Sequence, residues 1–207
     1  MKGLVFLCFT FLFFVQSPVL FGAQPNREAN KLARDGTEAA NNKQWDQAVD
    51  ALRKAADLDH KYLPNLGTAL QQRAAARVSE SQFPEALADL NDALKIQPRQ
   101  ARIYETRAYV EMKLNDLDAA QADYSAAIKL EPDELRYYQL RSYIREVKGD
   151  YKGSMADTEK ILSRDQNNAE AKARKARLVA RMAQNAPFTP PPPRSPNQSP
   201  AQTKPRP

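Results

Sequence analysis

An all-α fold of antiparallel helix pairs is the class this sequence predicts, and three observations carry it. Residues 26–182 are rich in Ala, Leu, Glu, Lys, Arg and Gln, the better helix formers. Small and apolar residues there recur at steps of three and four, the helical spacing, and no stretch alternates cleanly like a strand. A similar phrase returns after 34 residues: FPEALADLNDALKIQP ends at Pro98 and LDAAQADYSAAIKLEP ends at Pro132.

Extending that frame gives units 67–100, 101–134 and 135–168, and an earlier unit 29–62 set off by four inserted residues, 63–66. The second half of each unit opens on Trp45, Phe83, Leu117 or Tyr151. A small residue follows three later (Ala48, Ala86, Ala120, Ser154), then a larger one (Leu52, Leu90, Tyr124, Thr158), then Ala55, Ala93, Ala127 or Ile161. Those steps put all four on one helix face. The first half has its own small residue at Gly36, Ala74, Ala108 and Ser142, where a neighbouring helix can come close. Between the halves, Asn115 and Gly149 suit the left-handed conformation that ends a helix. Asp116 and Asp150 suit N-caps, and Pro84 suits a first helical turn.

These residues resemble the tetratricopeptide repeat family, whose 34-residue unit asks for small residues at positions 8, 20 and 27 and for proline at 32. His60 and Gln166 replace that proline in the first and fourth units. The resemblance implies a right-handed superhelix of about four repeats within residues 27–184. Residues 169–184 resemble the helix that caps such stacks, with Ala176 at the small position and a charged outer face.

One departure from the family is periodic. Position 7, usually leucine, holds Arg73, Arg107 and Arg141, and position 23 holds Asp89, Asp123 and Asp157. Ion pairs tying the two helices of each unit are the expected arrangement, and a row of ligand-facing charges is the alternative.

The family also implies a ligand surface, a concave groove lined by positions 2, 5, 9, 12 and 13 of each first helix, which grips peptides. Carried over, it comprises Arg102, Glu105, Tyr109, Met112 and Lys113 in the third unit, Arg136, Gln139 and Tyr143 in the fourth, and Gln71 in the second. Two tyrosines and two arginines, each pair one repeat apart, make an aromatic and cationic gripping surface; packing of the tyrosines against an adjacent helix is the alternative. The subtype that holds a terminal carboxylate uses Lys and Asn where Ala33 and Thr37 stand, so that specificity is not expected.

Catalysis has little to draw on. The single histidine, His60, falls in an inter-repeat turn, and no phosphate-binding glycine loop, GxSxG or HExxH motif occurs. The reading is therefore a non-enzymatic protein with no cofactor and no metal site. The partner it implies is a protein or peptide.

The ends of the chain carry the remaining information. Lys2, the apolar run 4–15 and the small residues Gly22 and Ala23 read as a signal peptide over 1–23, with an uncleaved membrane anchor as the alternative. The only cysteine, Cys8, lies inside it. Export to a periplasm or beyond the cell follows as the expectation. The net charge of +6 is uneven: residues 24–168 sum to −2, while residues 169–184 sum to +4 through Lys172, Arg174, Lys175, Arg177 and Arg181 against Glu170. Residues 185–207 include nine prolines and read as a disordered, extended tail. The basic end suggests one rival function, binding to an anionic surface or nucleic acid, although it lacks interleaved aromatic residues. Self-association through the ends of the stack is a second.

Overall fold

The computed structural model describes residues 26–184. The expected signal segment 1–23, with Cys8, and the proline-rich stretch 185–207 lie outside the described residues. Nine α-helices and one 3-10 turn follow one another, with no strand among the described residues. They fall into two compact units that divide between Ala69 and Leu70.

The first unit holds α1 (Arg27–Asn41), α2 (Trp45–Leu58), a 3-10 turn (His60–Tyr62) and the opening of α3 (Leu63–Ser79). Asn26 caps α1, its Oδ1 accepting from the Ala29 N–H at 3.1 Å. α1 and α2 approach closely because their facing residues are small: Ala29, Ala33, Gly36 and Ala39 meet Ala48, Val49, Leu52, Ala55 and Ala56, all buried. A Cβ on Gly36 would lie 2.8 Å from Leu52 Cγ and 3.2 Å from the Ala48 carbonyl, so the glycine is there for space. Residues 63–66, set apart in the repeat frame, are helical. They lengthen α3 to 17 residues against 13 in α5, with Pro64 in the first turn, where no N–H is required. His60 is exposed on the 3-10 turn.

The second unit holds the rest of α3 with α4 (Phe83–Ile96), α5 (Ala101–Lys113), α6 (Leu117–Leu130), α7 (Leu135–Val147), α8 (Tyr151–Arg164) and α9 (Ala169–Gln184). From α4 onward each helix packs on the next. One turn recurs within the pairs. Ser81, Asn115 and Gly149 take φ of 62°, 63° and 80°. The next N–H in each case, of Gln82, Asp116 and Asp150, bonds back at 2.8 Å to the carbonyl of Arg77, Glu111 and Arg145. Lys43 (φ 58°) and Gln44 make the same turn in the first unit. Asp116 and Asp150 then cap α6 and α8, accepting from the Ala119 and Gly153 amides at 3.0 and 2.9 Å. Between pairs, the Tyr104 and Tyr138 hydroxyls donate to the Pro98 and Pro132 carbonyls, each at 3.1 Å.

The core of this unit threads the small positions Ala74, Ala86, Ala108, Ala120, Ser142 and Ser154, all fully buried, with Leu90, Ile103, Tyr124 and Ile144 filling between them. α9 departs from the expectation. Ala176 is exposed, and the buried face is Ala171, Arg174 and Leu178. The Arg174 guanidinium takes the inward place because α7 offers it acceptors: it donates to the Gln139 carbonyl at 2.9 Å and to Ser142 Oγ, and Glu170 receives it at 2.9 Å. The charge of the cap is therefore not all on its outer face.

Candidate functional site

The Arg and Asp rows pair helix to helix. Arg73 donates through Nε and Nη2 to Asp89 at 2.9 and 2.7 Å, Arg107 to Asp123 at 2.6 and 2.7 Å, and Arg141 to Asp157 at 3.0 and 2.6 Å. Each is a two-point fork on a buried carboxylate, the strong geometry for this pair. The same arginines also reach the preceding helix pair, Arg107 to Asn91 Oδ1 at 2.8 Å and Arg141 to Ser125 Oγ at 3.0 Å. They therefore fasten α5 to both α4 and α6, and α7 to both α6 and α8.

A second arginine joins two of the three. Arg77 Nη1 lies 2.7 Å from Asp89 and 3.2 Å from the Glu85 carbonyl; Arg145 Nη1 lies 2.9 Å from Asp157 and 3.1 Å from the Gly153 carbonyl. The corresponding residue of α5, 34 positions from each, is Glu111. Glu111 is buried, its Oε1 3.7 Å from Arg107 Nε and its Oε2 without a hydrogen-bond partner. Burial, and then the neighbouring Asp123, push its carboxyl up to about 7.

Above this level α5, α6 and α7 enclose a cavity of about 560 Å³. Its wall and floor are Arg102, Glu105, Thr106, Tyr109 and Met112 of α5, Tyr124 of α6, and Arg136 and Leu140 of α7. Tyr124 is buried, its hydroxyl 4.0 Å from Met112 Sδ, and burial pushes that phenol up to about 12. Tyr109 is 43% exposed, with Lys113 Nζ 5.3 Å from its ring centre. Arg136 reaches across from α7 to Glu105 at 2.8 Å, while Arg102 makes no ion pair among the described residues. The cavity thus joins an apolar floor to a rim with an available cation.

Five of the nine groove residues named from the sequence line this cavity, and Lys113 lies against its Tyr109. Gln71, Gln139 and Tyr143 do not line it. Gln71 is occupied with Gln97, its Nε2 donating at 2.7 Å. Tyr143 is 47% exposed, but the place it would enclose is filled. Counting 34 residues on from Arg136 and Leu140 gives Glu170 and Arg174, and these close the cleft between α7 and α9 by bonding to Gln139, Ser142 and Glu146. The expected pair of gripping tyrosines is therefore one tyrosine on a cavity and one beside a plugged equivalent. Thr106, Tyr124 and Leu140 were not among the expected groove residues; Tyr124 had the signal of a packing position, and it serves both surfaces.

The first unit carries a separate, shallower cavity of about 390 Å³. Asn30, Ala33, Arg34, Thr37, Glu38, Asn41, Tyr62 and Asn65 line it, and Asn30 Oδ1 accepts from the Tyr62 hydroxyl at 2.5 Å. In the basic C-terminal helix, Arg174, Lys175 and Arg177 pair with Glu170, Glu159 and Glu146 at 2.9, 3.0 and 3.3 Å. Among the described residues no helix is long and apolar enough to cross a membrane, and no group of three metal-ligating side chains assembles.

Comparison with known proteins follows the same geometry. Residues 101–134, which carry most of the cavity, match a family model described as the tetratricopeptide repeat. The ER protein translocation subcomplex subunit sec67 of Schizosaccharomyces pombe is 34% identical over 113 residues, 48% of this chain; the chain spans 58% of that relative's length. Among solved structures, YrrB, described as a tetratricopeptide repeat protein with an unusual peptide-binding site, matches at a TM-score of 0.59 and 16% identity, over 76% of this chain and 80% of its own. The first tetratricopeptide domain of Spaghetti (RPAP3), bound to the HSP90 peptide SRMEEVD, matches at 0.52 and 19%, over 56% and 93%. At these identities the solved structures establish the fold. The family match identifies residues 101–134 as a tetratricopeptide repeat, and the recurring helix pairs share the fold of the tetratricopeptide solenoids.

Proposed function

We propose that this protein is a non-enzymatic interaction module that binds an extended segment of a partner protein in the cavity between α5, α6 and α7. The observation that supports the reading is the cavity's composition. Met112, Tyr124 and Leu140 offer an apolar seat, Tyr109 an exposed ring beside it, and Arg102 an available guanidinium at the rim. Such a site favours an apolar side chain with a carboxylate close by, the first seated on the floor and the second paired with Arg102. The peptide-bound Spaghetti domain and the peptide-binding site of YrrB support the ligand class, and the sec67 relative supports membership of a larger assembly. Export is proposed from the apolar N-terminal sequence alone.

The rival on the basic helix has less to work with, since Arg174, Lys175 and Arg177 already hold carboxylates of the same unit. Selection from a random peptide display library on the full chain tests the proposal. Selected peptides should pair an apolar residue with Asp or Glu, and should lose tenfold or more in affinity with Tyr109→Ala or Arg102→Ala while tolerating Tyr143→Ala. Peptides unaffected by both cavity substitutions, or a library that yields no binder, would overturn it.

A further inference from the structure

We propose that Glu111 and Asp123 form a proton-binding site built into the third helix pair, one proton held between the two carboxyls fastening α5 to α6 beneath the cavity. The geometry comes from the repeat itself. The second and fourth units set two arginines against one aspartate, whereas the third sets one arginine against two acidic side chains. Arg107 spends three of its five N–H groups on Asp123 and Asn91, one from each of its nitrogens, and its approach to Glu111 is the 3.7 Å contact of Nε. Glu111 is only 7% exposed, and its Oε2 has no hydrogen-bond partner among the described residues. An ionised carboxyl cannot donate. A protonated one can, and the carboxyl beside it is Asp123, whose Oδ2 meets at 2.6 Å the same Arg107 Nε that Glu111 Oε1 approaches at 3.7 Å.

The charges facing Glu111 agree. On α5 itself there is Arg107; on α6 there are Asp123, the capping Asp116 and the phenol of Tyr124. The α4 side chain that reaches this cluster, Asn91, is uncharged. Two acidic neighbours against one shared cation favour the protonated form.

Glu111 ionises at about 7 in the fold and in the ordinary carboxylate range when unfolded. The folded state therefore binds more protons between those values, and stability falls as pH rises through that window. Below it the pair is closed by its proton; above pH 7 the helices must hold a buried, unpaired charge. The cavity lies one residue away on each helix, at Met112 and Tyr124, so what loosens the carboxyl pair also loosens the cavity floor. Only that last link rests on the peptide-binding reading, since the measurements below are made on the free chain and stand or fall without it.

The test compares urea unfolding of the full chain and its Glu111→Gln variant from pH 5 to pH 8.5, alongside the side-chain carboxyl resonance of Glu111 in the unsubstituted protein. The amide of Gln can donate at every pH, so the variant should unfold with an equilibrium constant at least tenfold smaller than the parent at pH 8.5 and nearly equal at pH 5. His60 is present in both, so the difference between them isolates Glu111. The carboxyl resonance should titrate near neutrality. Parallel pH profiles for the two chains, or a Glu111 resonance that titrates in the ordinary carboxylate range, would overturn the proposal. The resonance alone decides if the variant does not fold.

Discussion

The third helix pair and the fourth are built on one template, and two positions set their polar clusters and clefts apart. In the fourth, Arg141 and Arg145 converge on Asp157, and Arg174 plugs the cleft above. In the third, Glu111 stands in place of the second arginine and Leu140 in place of the plug, so that a buried carboxyl with an unpartnered oxygen lies below and an open cavity above. The same backbone thus carries an aspartate held by two arginines in one copy and by one arginine in the other. A repeat fold supplies the frame, and substitutions at equivalent positions decide which copy carries the cavity.

The comparison can be broken most forcefully at the aspartates. Asp157→Ala leaves two arginines without their carboxylate in a mostly buried site, and should cost about 3–5 kcal/mol, measured by urea denaturation at pH 7. Asp123→Ala should cost clearly less, because Glu111 is already 3.7 Å from Arg107 and the removal ends its repulsion. Equal losses would mean that the two sites are energetically alike and that Glu111 is a bystander.

A smaller effect with the opposite sign sharpens the same point. Glu111→Arg rebuilds in the third pair what the other two possess, a second guanidinium on the aspartate within reach of a backbone carbonyl; Ala119 occupies the place of Glu85 and Gly153. At pH 8 it should stabilise the chain by about 1–2 kcal/mol, the value of a charge-assisted hydrogen bond gained with a buried charge relieved. Destabilisation there would show that α5 and α6 do not accept the arrangement of their neighbours.

Much of this architecture was legible beforehand, and the misses have physical reasons. The helix faces, the Asn115 and Gly149 turns and the Arg–Asp spacing declare themselves because each depends on residue type at a fixed interval. Lys43 and Ser81 make the same left-handed turn with residues that do not advertise it, held there by the 34-residue register. The roles of Arg77 and Arg145 are not visible in the sequence, because spacing along one helix does not reveal an acceptor on another. Ala176 was placed by register, yet Arg174 turned inward because acceptors on α7 outweighed the usual small-residue contact. The candidate site was half visible: its α5 residues other than Thr106 follow from the groove positions the family resemblance implies, whereas the contributions of Tyr124 and Leu140, and the burial of Arg174 beside Tyr143's helix, depend on which helices meet.

The central claim is that binding belongs to the third pair and its border with the fourth. The most direct measurement is amide chemical-shift mapping of the full chain with a display-selected peptide. Perturbations should concentrate at Arg102, Glu105, Tyr109 and Met112 on α5, at Tyr124 on α6, and at Arg136 and Leu140 on α7. A shift pattern centred on Tyr143 and α9, or on the Asn30, Asn41 and Asn65 cavity of the first unit, would contradict it.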